Sequence, residues 1–209
     1  MAQMNIKTGK GNCLFITFDV FNMDFLEDLT KDQHIIKITD SLFFCFNGIY
    51  SKTKNMTETI GLLNEYIDNN KIKNVFLFGI CRGSYTAMLI GQYIRKCYIF
   101  VVEPIFSIDY NENLKINDER FTTEIHDKMR KIGLLKNPEF IGKLNVFSNM
   151  KDKRNKIYVY YSTCEICKKQ LTLMKKKYVE EFCLENEKEH KMYDIYEEMI
   201  KKKIIEILK

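Results

Sequence analysis

The sequence predicts a single α/β domain built on a mostly parallel sheet, with helices on both faces. Short continuous apolar runs at Cys13 to Asp19, Val75 to Phe78 and Cys97 to Val102 have the length and the β-branched or aromatic content of strands buried on both sides. Segments of helical periodicity separate them, and strand–helix–strand alternation requires right-handed crossovers between parallel strands. At 209 residues the chain is long enough for one substantial core and too short for two comfortable ones, so residues 1–209 are read as one domain.

The elements follow in order. The first run ends in Asp19-Val20-Phe21-Asn22, and Met23 to Leu29 is read as a short helix before a second strand at His34 to Thr39. Asp40 to Tyr50 is aromatic and irregular, with Asn47-Gly48 as a turn signal. From Asn55 to Asn70, Ile60, Leu63, Tyr66 and Ile67 recur at helical spacing, and Thr57 or Thr59 is the expected cap. The strand Val75 to Phe78 then runs into a helix through Ala87, Leu89, Ile90 and Ile94. After Cys97 to Val102, Glu103-Pro104 breaks the rhythm. The polar stretch 105–154 is expected to be an insertion over the carboxyl edge of the sheet, either a lid or a long crossover, with helices at Asp118 to Gly133 and Pro138 to Phe147. Alternation resumes with a strand at Lys156 to Tyr161, a helix at Cys164 to Lys177, a strand at Tyr178 to Leu184 and a helix at His190 to Leu208. The last helix carries an apolar stripe of Met192, Ile195, Met199, Ile200, Ile204 and Leu208, read as docking onto the sheet.

Chemistry concentrates at Gly79-Ile80-Cys81-Arg82-Gly83, where strand turns directly into helix. Glycines at i−2 and i+2 suit a reversal so sharp that side chains do not fit beside the central residue. A thiol in the first turn of a helix feels unpaired N–H groups and the positive end of the dipole, which favour thiolate. Ser84, past the apex, reads as a packing residue. Strand, Gly-x-Cys-x-Gly, helix, a later acid and a histidine after the last strand resemble the α/β-hydrolase family, in its nucleophile–acid–histidine order. Thr17-Phe-Asp-Val-Phe21, Phe43-Phe-Cys-Phe-Asn-Gly-Ile49 and the stretch from Gly79 to Ala87 are further similar to small bacterial hydrolase-like proteins of surface-polysaccharide loci, some of them capsule O-acetyltransferases.

The resemblance implies a three-layer fold lacking the family's first antiparallel strands. It also implies Cys81 as nucleophile, His190 as base and Glu165 as the orienting acid, with the N–H groups of Arg82 and Val20 as oxyanion donors. Asp19, beside that hole, must point away for the donors to serve an oxyanion. The implied activity is ester hydrolysis or O-acetyl transfer to a carbohydrate through a Cys81 thioester, with acetyl-coenzyme A as co-substrate of a transferase and no other cofactor. Two other classes compete: a non-catalytic hydrolase-like binding protein, and a thiol-redox or zinc protein built on Cys164-x-x-Cys167, whose zinc form would add Cys183 and His190. No metal is expected in the favoured reading.

Composition excludes other classes. A net charge of +5, with lysines interleaved among glutamates, describes solvated faces rather than a nucleic-acid groove. No apolar run has the length of a secretory signal or a membrane span. Seven cysteines, several in core-like runs, fit a reducing cytoplasm, and the abundance of Lys, Asn and Ile points to an AT-rich bacterial source. No phosphate-binding loop is present, because Gly79-x-x-x-Gly83 lacks both the third glycine of a dinucleotide fingerprint and the lysine of a nucleotide loop. Of the three histidines, His34 and His126 are read as surface residues.

Overall fold

The protein is described from a computed structural model, which describes residues 3–19, 21–39, 52–95, 97–118, 126–127, 130, 145–147, 155–184 and 193–209. Seven strands form one sheet in the order β1-β3-β2-β4-β5-β6-β7. They are β1 (Gln3–Lys7), β2 (Cys13–Phe18), β3 (His34–Thr39), β4 (Asn74–Ile80), β5 (Cys97–Val102), β6 (Lys156–Ser162) and β7 (Val179–Leu184). All neighbours pair in parallel except β1, which runs antiparallel to β3 at one edge. An antiparallel strand expected to be missing is therefore present. Gln3-Met-Asn-Ile-Lys7 buries only Met4 and leaves Ile6 exposed at the edge, so its apolar signal is two alternating residues.

Alternation along the strands sorts the core into two layers of different chemistry. One face is mainly aliphatic, with Leu14, Ile16, Leu77, Ile99, Val101 and Val159 packing against α2 (Met56–Asn69) and α3 (Arg82–Gly91). The other is aromatic: Phe15, Phe76, Phe78, Phe100, Tyr158 and Tyr160 lie beneath α6 (Tyr193–Leu208) and the one-turn 3-10 helix Asp24–Leu26 that leads into α1 (Glu27–Thr30). Rings on adjacent strands stack, with Phe78 and Phe100 centroids 5.3 Å apart and Phe100 and Tyr158 4.9 Å apart. On α6 the buried residues are Tyr196, Ile200 and Ile204, spaced four apart, whereas Ile195 and Leu208 of the expected stripe are among the exposed apolar residues. Met192 lies outside the described residues. The polar-capable Tyr196 holds the centre of the buried face because its hydroxyl has a buried partner, described below.

Other boundaries moved for local reasons. The side chain of Asn55, not of a threonine, caps α2 by accepting from the N–H of Glu58 at 2.9 Å. The helix α5 (Glu165–Leu171) stops well short of Lys177, and a 3-10 turn at Lys176–Tyr178 leads into β7. After β5 the chain forms α4 (Tyr110–Lys115), and Asn145 forms an antiparallel bridge to Ser107 where the end of a helix was expected. Most of the two helices expected in 105–154, and the whole of 40–50, lie outside the described residues. His34 is buried at the start of β3, its Nδ1 2.9 Å from the hydroxyl of Tyr66 on α2, and so is not the surface residue expected.

Candidate active site

Three neighbouring parallel strands, β2, β4 and β5, end in the same way. The residue after each, Asp19, Cys81 and Glu103, has positive φ (60°, 47° and 47°). Each still donates its N–H to the next strand over: Asp19 to the carbonyl of Ile38 at 2.8 Å, Cys81 to Val102 at 3.0 Å and Glu103 to Tyr160 at 2.9 Å. Left-handed backbone at residues with a Cβ costs roughly 1–3 kcal/mol each and persists only where surrounding bonds enforce it. The carboxyl edge of the sheet thus carries three strained residues side by side.

Cys81 sits at the apex of the β4–α3 turn, at φ 47° and ψ −113°, as the N-cap of α3. The flanking glycines are required by contact. A Cβ on Gly79 would strike the backbone of Gly83, and one on Gly83 would lie 2.7 Å from the carbonyl oxygen of Phe18. Ser84 is buried; its hydroxyl donates to the Cys81 carbonyl and accepts from the N–H of Ile105 at 2.9 Å, which ties the turn to the segment after β5. Ser84 is the packing residue expected. Cys81 is half-buried, whereas Cys13, Cys97, Cys164 and Cys167 are buried and Cys183 is exposed. Burial pushes the thiols of Cys13 and Cys97 above the ordinary value.

The other expected site residues are placed unevenly. Arg82 opens α3, so its N–H belongs to the turn that has no intrahelical acceptors, and its side chain is exposed. Asp19 does not point away as the oxyanion reading required but reaches Gly83, its Oδ2 lying 3.4 Å from where a Cβ on that glycine would be. Glu165 is the first residue of α5, with its side chain 84% exposed and ion-paired to Lys169 at 3.2 Å. Val20 and His190 lie outside the described residues.

A buried carboxylate that the sequence reading passed over is Glu103, 1% exposed. Its Oε1 accepts from the N–H of Ser162 at 3.0 Å and from the Tyr196 hydroxyl at 2.7 Å, and its Oε2 accepts from the thiol of Cys167. Burial first, and then the bond to Glu103, pushes the Tyr196 hydroxyl far above the ordinary phenol value. The signal was present in the sequence as an acid interrupting an apolar strand end immediately before Pro104, although this reads equally as a strand terminator. Among the described residues, Glu103, Cys164 and Cys167 are the group whose ligand atoms come within 4.8 Å of one another. Cys183 is not among them. A cleft of about 310 Å³ lies at the opposite, amino-terminal ends of β6 and β7, between Lys156, Lys177 and Glu180, away from this edge.

A parallel sheet with one antiparallel edge strand, layered by helices and turning sharply at Gly79-x-Cys81-x-Gly83, has solved counterparts. A capsule O-acetyltransferase of Neisseria meningitidis serogroup A superposes with a TM-score of 0.66 at 15% identity, over 97% of this chain and 90% of that one. An α/β-hydrolase enzyme from the metagenome of sediments of the Mar Chica lagoon, Morocco, superposes with a TM-score of 0.54 at 12% identity, over 98% and 93%. The chain has the α/β-hydrolase fold. A histidine-to-alanine mutant of the same capsule O-acetyltransferase, solved with CoA, aligns with a TM-score of 0.60 at 13% identity, over 97% of this chain and 91% of that one. No protein-family model and no curated protein sequence matches the chain. Within the α/β-hydrolase fold, Cys81 occupies the strand-to-helix turn at the carboxyl edge of the sheet, where open α/β sheets bind ligands.

Proposed function

We propose that the chain is an acyl-transfer enzyme in which Cys81 takes the acyl group as a thioester. The observation that carries this reading is the backbone of Cys81, held at φ 47° and ψ −113° between two glycines that admit no Cβ, a nucleophile elbow with a half-buried thiol at its apex. Cys81 attacks the acyl carbonyl, and the N–H of Arg82, with that of Val20, stabilises the charge that develops on the oxygen. His190 takes the thiol proton and returns it to the leaving group. Glu165 contributes least, because it faces solvent beside Lys169 and because a thiol needs less help from a carboxylate than a hydroxyl does. Water resolves the thioester in an esterase, and a carbohydrate hydroxyl does so in an O-acetyltransferase. Similarity to a capsule O-acetyltransferase, one structure of which holds CoA, favours acetyl-coenzyme A as donor and a bacterial surface carbohydrate as acceptor.

Release of p-nitrophenol from p-nitrophenyl acetate, and of CoA from acetyl-coenzyme A with and without oligosaccharide, tests the proposal in wild type and Cys81→Ala. Turnover that is lost in Cys81→Ala supports it, and equal turnover in both proteins contradicts it. The competing reading, a non-catalytic binding protein, draws on the outward-facing Glu165 and on Asp19 lying against the start of α3. It expects no turnover from either protein with any donor.

A further inference from the structure

The pair Cys164-x-x-Cys167 is not used by the acyl-transfer reading, yet its geometry is specific. Cys164 is the N-cap of α5 and Cys167 lies one turn on, with their sulfur atoms 2.9 Å apart and the residues 7% and 2% exposed. Glu103 arrives from the end of β5. Its Oε1 is fixed by Ser162 and Tyr196, which leaves Oε2 aimed at the sulfur of Cys167, the more buried of the two. Two thiolates on one tetrahedral zinc stand about 3.8 Å apart, given Zn–S near 2.3 Å. At 2.9 Å the two sulfurs are in contact, as a dithiol that closes on itself requires.

We propose that Cys164 and Cys167 form a second active centre, separate from Cys81, that exchanges with low-molecular-weight disulfides and uses Glu103 as the proton acceptor for Cys167. The thiolate of Cys164 attacks one sulfur of a disulfide RSSR; a mixed disulfide forms and RS⁻ leaves. The thiol of Cys167 passes its proton to Oε2 of Glu103, its sulfur attacks Sγ of Cys164, and the second RS⁻ leaves. Both thiolates are protonated, one by the proton relayed through Glu103 and one by the proton that Cys164 lost to solvent. The protein dithiol is oxidised by two electrons and RSSR is reduced to two RSH. The electrostatics agree with this division of labour. Burial pushes Cys164 up, but hydrogen bonding around its sulfur, in which Ser162 takes part, outweighs it and brings the thiol below its ordinary value. Burial, together with Cys164 and Glu103, pushes Cys167 far above it, so Cys167 needs a base. Because Glu103 follows Val102, whose carbonyl holds the N–H of Cys81, the two centres share one strand end.

The test treats the full chain with excess oxidised glutathione, quenches with acid, alkylates the remaining thiols and maps them by mass spectrometry. Wild type should gain one internal Cys164–Cys167 disulfide. Cys167→Ser should stop at glutathione bound to Cys164, and Cys164→Ser should form neither species. Glu103→Gln should slow conversion of the mixed disulfide about a hundredfold or more, the scale of a lost general base. Circular dichroism checks that Glu103→Gln is folded; if it is not, the Cys167→Ser trap decides. The proposal is overturned if both thiols stay free while exposed Cys183 is modified, or if the purified protein carries one equivalent of zinc that must be chelated before the dithiol oxidises. These readouts do not depend on acylation of Cys81.

Discussion

Replacing Gly83 with alanine tests the link between the turn and the reactive thiol. The new methyl carbon would lie 2.7 Å from the carbonyl oxygen of Phe18 and 3.2 Å from its carbon, both backbone atoms of β2, where ordinary contact begins at 3.4 Å. Neither atom can move without displacing a strand hydrogen-bonded on both sides. Overpacking of this kind costs roughly 1–3 kcal/mol, and the better helix propensity of alanine returns up to about 1 kcal/mol. The net loss of up to about 2.5 kcal/mol lowers Tm by up to roughly 10 °C in a chain of this size. Gly61→Ala is the control. Gly61 lies within α2 with nothing near its would-be Cβ, so the same substitution should raise Tm by roughly 1–4 °C through a gain of about 0.5–1 kcal/mol. Differential scanning calorimetry reads both. Acetylation of Cys81 should fall about tenfold or more in Gly83→Ala, because a displacement below 1 Å at a reacting centre is costly. A Gly83→Ala protein as stable and as reactive as wild type would refute the claim that the Phe18 carbonyl fixes the turn.

Other perturbations have equally definite outcomes. Gln170→Leu removes the bonds that Gln170 makes to three buried groups, the N–H of Phe106 and the oxygens of Asn113 and Asp118, at 2.8, 2.7 and 2.8 Å. The cost should be roughly 3–5 kcal/mol, read by urea denaturation. At high pH, burial holds Tyr158 protonated up to about 12, against 10 for the unfolded chain. Between those values only the unfolded state releases this proton, so the contribution of Tyr158 is full below pH 10 and is lost as pH rises towards 12. Tyr158→Phe should make the fall in pH-dependent denaturation shallower by one proton, with Tyr160, Tyr161 and Tyr196, also raised by burial, keeping the rest. Glu165→Gln should leave kcat/KM for p-nitrophenyl acetate within about threefold of wild type, since an exposed, screened carboxylate adds little.

Much of the framework was legible because it is written in continuous apolar runs. Cys13–Phe18 and Cys97–Val102 are strands almost to the residue, since a strand covered on both faces tolerates few polar positions, and His34–Thr39 is a half-covered strand that buries His34, Ile36 and Ile38 and exposes Lys37 and Thr39. The turn at Cys81 was legible through its glycines. The rest was hidden where one residue type serves two purposes. Met4 and Ile6 are the apolar residues of β1, too few to announce a strand, and at the edge only Met4 is buried. Tyr196 anchors α6 through a hydroxyl that only a folded Glu103 can receive, so an apolar count along the helix selected Ile195 and Leu208 instead. Glu103 and Cys167 lie 64 residues apart, and no local pattern announces their contact.

An acyl-transfer role for Cys81 requires that its thiol take an acyl group. Intact-mass spectrometry after brief exposure to acetyl-coenzyme A or p-nitrophenyl acetate, followed by peptide mapping, measures this directly. One acetyl group is expected on Cys81, absent from Cys81→Ala and longer-lived in His190→Ala. An unlabelled protein, or labelling that survives the loss of Cys81, would contradict it.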